Sequence, residues 1–130
     1  MMKINLKNIF VYSVYLILIL ILTYLFCNLK SSTKKMNEDL QIVIKNVSDE
    51  NWELSFELFE SFVKSYENKI KNFSSIIRHD EVNKALLSIE EISTKINLKN
   101  KEECLFSLSN LNFYINTFYK NQIPNLLNVL

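Results

Sequence analysis

The 130 residues contain no glycine and a single proline, Pro124, which removes most of the means by which a chain turns sharply. Two-residue hairpins need positive φ, which glycine supplies most readily, so nothing favours a β architecture. Glycine-rich phosphate loops are excluded outright. One histidine, His79, and two cysteines, Cys27 and Cys104, give neither a credible zinc site nor a disulfide framework. An excess of positive charge is missing too: from residue 30 onward there are 13 Lys and Arg against 14 Asp and Glu. Nucleic acid is therefore not an expected partner, because its binding needs concentrated cations that neutralise phosphates.

What the sequence does hold is one long apolar run. Residues 9–27, IFVYSVYLILILILTYLFC, carry no charge and no proline. At 1.5 Å per residue such a helix spans roughly 28 Å, close to the ~30 Å hydrocarbon layer of a bilayer. Backbone groups in lipid must be satisfied within the segment, which requires a helix. A buried core helix would usually be shorter. A cleaved secretory signal has a shorter apolar stretch and an A-x-A-like site, neither of which is present. Phe26 precedes Cys27 where a lipid-modified cysteine would follow a small residue. The expectation is an uncleaved anchor over residues 9–29, a short basic tail over 1–8 and a helical domain over 30–130. Lys3 and Lys7 before the run balance Lys30, Lys34 and Lys35 after it, so the positive-inside rule does not set the orientation. The larger domain is placed outside, since long domains cross largely regardless of charge.

Beyond the run, the periodicity is helical. Met36, Leu40, Val43 and Val47 share one face and can continue the apolar helix without a break. Ser48 and Asp49 are candidate N-caps for the next helix. Trp52, Phe56, Phe59, Val63, Tyr66, Ile70, Phe73 and Ile77 then follow at alternating spacings of four and three, an aromatic seam that could pack within one chain or between two. After Ile77 the phase changes to Val82, Leu86, Ile89, Ile92 and Ile96. Either a turn at residues 78–80 with Asp80 as cap, or one helix with a rotating face, would produce that shift. Asn97 and Asn100 offer caps for a last helix carrying Cys104, Leu108, Leu111, Ile115 and Phe118, widened by Leu105 and Tyr119. The predicted fold is all-α: a transmembrane helix followed by an antiparallel bundle of three to four amphipathic helices.

The chemistry-bearing residues are sparse. His79, Asp80 and Glu81 stand together, but His79 and Glu81 are two apart and would not share a helix face. Ile76 occupies the position three before His79, so the Glu-x-x-His pattern of a di-iron bundle is absent. Cys104 has no neighbouring base in sequence, and each cysteine reads as a small apolar filler. No catalytic, cofactor-binding or metal-ligating set is assigned, and no enzyme is expected.

The layout resembles domain-of-unknown-function family 4363, small membrane-anchored helical proteins of clostridia and related Bacillota. Trp52 early in the long helix, HDEVN over residues 79–83, and NVL from Asn128 carry the likeness. Asn83 stands where relatives tend to have Asp, which further weakens a metal reading. The resemblance implies a fold and a location but no activity, and it marks Trp52, His79, Asp80, Glu81 and Asn128 as a candidate structural motif. The function expected is that of a protein-interaction or structural module at the bacterial membrane, with an unknown protein partner or self-association. An extracytoplasmic sensor or small-ligand-binding module is the alternative, and would need a dry cavity beside Trp52 and Phe56.

Overall fold

Without glycine or an internal proline to stop it, the first helix runs on. In a computed structural model that describes residues 5–120, α1 spans Leu6–Ser48 unbroken. Asn5 caps it, its side chain accepting from the Lys7 amide at 3.4 Å. The helix is long and apolar enough to cross a membrane, and its apolar stretch is covered by nothing else among the described residues. Its serine and threonine hydroxyls bond within the helix: Ser13 donates to the Phe10 carbonyl and Thr23 to that of Ile19. From Leu29 the same helix acquires a buried face of Leu29, Ser32, Thr33, Met36, Leu40, Val43 and Val47.

Three further helices complete the bundle: α2, Trp52–Asn72; α3, His79–Asn97; and α4, Lys101–Lys120. α1 packs on α2 and α4, and α3 packs on the same two. Consecutive helices run antiparallel, so α1 and α3 face each other across one diagonal and α2 and α4 across the other. The core they enclose is apolar, with Phe59, Ile70, Ile92, Leu108, Leu111, Ile115 and Phe118 essentially inaccessible. The α2–α3 turn and the end of α4 lie beside the apolar run, which we call the near end. The α1–α2 and α3–α4 turns form the far end.

Both far-end turns are built without glycine. Glu50 and Lys99 take left-handed φ of 59° and 54°. At the first, the Asn51 amide donates to the Asn46 carbonyl and that of Glu50 to Val47; at the second, Asn100 donates to Lys95 and Lys99 to Ile96. These are two Schellman closures, normally a glycine position because a Cβ there costs about 1–2 kcal/mol. Lys101 reaches Glu50 at 3.6 Å and joins one turn to the other. Ser48 and Asp49 are thus not the N-caps of α2 that the sequence suggests: they close α1, and Asn51 opens α2. Asn100 does cap α4, its Oδ1 accepting from the Glu103 amide at 3.2 Å.

The phase change after Ile77 is a turn. A single 3₁₀ turn, Phe73–Ser75, ends α2, and Arg78 is extended with ψ of 136° before α3 begins at His79. Asp80 lies inside the first helical turn rather than at the cap, so its expected capping role is corrected.

α2 also departs from the seam. Ser55 and Phe62 are buried with Phe59, Tyr66 and Ile70, whereas Phe56 is exposed and Trp52 and Val63 only half-buried. A strict 3-4 spacing drifts by about 20° per heptad on a straight α-helix. By Phe56 the seam has rotated off the face that α1 and α3 cover.

Candidate functional site

His79 and its acidic neighbours do not converge on one point. His79 is exposed at the first position of α3, Asp80 is exposed, and Glu81 is half-buried. Asp80 instead closes back on Arg78, which donates from Nε and Nη2 at 3.2 and 3.3 Å. Both side chains are largely exposed, so this fork fixes a turn rather than a reactive group. Trp52 stands at the far end, the length of the bundle away. Asn128, Pro124 and the apolar tail lie outside the described residues. No three His, Cys, Asp or Glu side chains among the described residues are grouped as a metal would need.

Cys104 is fully buried. Burial pushes its thiol up to about 11, with the Lys95 charge pulling the other way. It is a core residue held in the neutral form, the opposite of an activated thiolate. One arrangement escaped the sequence reading: Lys95 Nζ donates to Ser107 Oγ at 2.7 Å, and Glu91 Oε2 lies 3.5 Å from that hydroxyl. Glu91 and Ser107 are placed symmetrically about the α3–α4 turn, so an antiparallel pairing of the two helices would have brought them together on paper. The hydroxyl next to an amine has the look of a nucleophile and its base. Ser107 is only 1% exposed, however, and a substrate has no path to it. The group links two helices.

A second polar layer crosses the middle of the bundle. Asn37 on α1 donates to Asn116 on α4, and Tyr66 on α2 donates to Asp39 on α1. Burial first, then the Asp39 hydrogen bond and the charges of Asp39 and Glu38, push the Tyr66 phenol up to about 12. These half-buried polar pairs beside the apolar core favour one register of the helices.

The surface is more informative. Beside Trp52 lies a groove of about 440 Å³ lined by Glu53, Phe56, Glu57, Ile96, Asn97 and Lys99. It is open to solvent, not the dry enclosed cavity a buried ligand would occupy. On α4, Phe106 and Phe113 point away from the core and are 67% and 64% exposed. They lie seven residues apart, on one stripe opposite the buried Cys104, Leu108, Leu111 and Ile115.

A family model described as Domain of unknown function (DUF4363) matches residues 23–129. The chain belongs to this family. The DUF4363 match opens in the last turns of the apolar run and takes in all four bundle helices. It leaves out most of the run, so the likeness covers less of the N-terminal segment than the sequence layout implies. No curated protein and no solved structure matches the chain.

Proposed function

We propose that this DUF4363 member is a single-pass membrane protein, anchored through residues 9–29, whose bundle makes contact with a protein partner or with a second copy of itself. The observation that carries this reading is the exposed Phe106 and Phe113 stripe on α4. Among the described residues the core is filled without these two rings, which leaves them open to a partner. An aromatic pair one helical repeat apart suits an amphipathic helix laid alongside. The bundle stands on the outer side of the membrane in this reading, and carries no catalytic activity.

The test is a photo-crosslinking residue at position 106 or 113 of the full chain in native membranes, with the exposed position 68 on α2, across the bundle, as control. Adducts at 106 and 113 but not 68 are expected. A strict monomer with no adduct at either position overturns the reading. Protease added to intact cells should cut the bundle, and protection of the bundle would reverse the orientation.

The Trp52 groove supports a second reading, a small-ligand sensor. Trp52 is the only tryptophan, so its fluorescence reports binding there directly. Saturable change with a small molecule would favour the sensor over the interaction module.

A further inference from the structure

The near end of the bundle bears the opposite charge from the far end. Contacts of Asn37 with Asn116 and of Asp39 with Tyr66 mark the middle of the bundle. In the half next to the apolar run, residues 30–39, 63–87 and 112–120, nine Lys and Arg stand against five Asp and Glu. In the far half, residues 40–62 and 88–111, four stand against nine. The two halves thus differ by nine charges within a domain that is almost neutral. Helix dipoles account for part of this, since α2 and α4 begin with acids at the far end and finish with lysines at the near end. They do not account for Lys30, Lys34 and Lys35, which sit in the middle of the unbroken α1, away from either terminus.

The near end also carries apolar surface at the same level. Leu22, Leu25, Phe26 and Leu29 of α1 form a groove of about 580 Å³ with Ser75 and Ile76 of the α2–α3 turn. Ile76 is 39% exposed there, beside side chains of the apolar run itself. Phe26 meets Tyr119 at 4.9 Å between ring centroids, and Lys30 Nζ lies 5.6 Å from the same Tyr119 ring. An apolar groove touching the last turns of a span, with Lys30 beside it and an excess of cations in the same half of the bundle, matches the two parts of an anionic phospholipid, acyl chain below and phosphate above, even with Lys71 paired to Glu67 and Arg78 to Asp80.

We propose that the near end is a seat for anionic phospholipid, with Ile76 and the groove at acyl depth and Lys69, Lys71 and Arg78 among the groups at the headgroups. This rests on the reading of residues 9–29 as a membrane anchor. It holds the bundle upright on the bilayer and leaves the acidic far end facing away.

Amide hydrogen exchange on the full chain tests it, in bilayers of phosphatidylcholine alone and of phosphatidylcholine mixed with phosphatidylglycerol. The first amides of α3 have no partner within the helix and report contact sensitively. Residues 9–27 should be protected in both bilayers, and residues 74–80 should exchange several-fold more slowly in the anionic one, an effect that high salt removes. Lys69→Gln and Lys71→Gln should each remove most of that slowing, since one cation near an anionic surface is worth about fivefold in affinity. The far-end turns at 49–51 and 98–100 should exchange alike throughout, which verifies the fold of each variant. Protection of 9–27 with identical exchange of 74–80 in both bilayers overturns the seat and leaves the anchor standing. Slowing that survives the charge variants overturns it as well. Free exchange of 9–27 in both bilayers removes the anchor, and the seat with it.

Discussion

α1 places two different surfaces on one helical axis. Over residues 9–22 every side chain is exposed, in whichever direction it points. From Leu29 onward, burial falls on one face and the other face carries lysines and acids. The backbone is the same in both halves, so the difference lies in what each needs around it. The second half is stabilised by α2 and α4; the first half has no covering among the described residues and is apolar enough to cross a membrane.

Substitutions that act on one half and spare the other sharpen this contrast. Leu40→Ala should cost the bundle about 2–5 kcal/mol in a denaturant titration, since Leu40 is fully buried. Leu18→Ala, in the uncovered half, should leave that titration unchanged, and equal effects would break the comparison. Ile17→Lys should oppose membrane insertion by about 2.5–3.5 kcal/mol, read as loss from the membrane fraction, with bundle unfolding unaltered.

Alkaline pH should act on the covered half alone. Cys104 ionises near its ordinary 9.0 in the unfolded chain but near 11 in the bundle, and Tyr66 near 10.0 and about 12 respectively. The folded state therefore keeps protons that the unfolded state has lost. Stability contributed by both groups is fully present below pH 9 and is lost as pH climbs to 12. Cys104→Ala should flatten the lower part of that decline and Tyr66→Phe the upper part, in unfolding curves taken from pH 8 to 12.

Smaller effects are expected at the far end. Asn100→Ala should cost about 1 kcal/mol through loss of the α4 cap. Lys99→Gly should raise the unfolding midpoint slightly, because relief of the left-handed Cβ outweighs glycine's greater freedom in the unfolded chain by up to about 1 kcal/mol.

The sequence made α4 legible to the residue: Cys104, Leu108, Leu111, Ile115 and Phe118 are all fully buried. α4 has one tight stripe, and its period is that of the helix. α2 was less legible because its aromatic seam keeps a 3.5-residue period, and only packing decides which end of a drifting stripe is covered. Turns were the weakest part. Ser48, Asp49 and Glu50 have the composition of a helix start, yet they close a helix through a left-handed residue that no residue type in this chain announces. Asp80 looked like a cap until the extended Arg78 took that position. The half-buried polar contacts between helices, Lys95 with Ser107 and Asn37 with Asn116, join residues 12 and 79 apart. Such pairs follow from the order of helices in space, which periodicity does not contain.

An unbroken α1 also has a mechanical meaning. Nothing between the span and the bundle bends: the helix has no proline, no glycine and no interruption. The part within the bundle, from Leu29 to Ser48, extends roughly 28 Å beyond the apolar run. Spanning helices commonly tilt by about 20°, and a rigid arm of this length would then carry the far end sideways by roughly 10 Å. In the proposed anchored state the bundle is the long arm of a lever, and rotations of the span would arrive at Trp52 and the two far turns as displacements on the scale of a whole helix diameter.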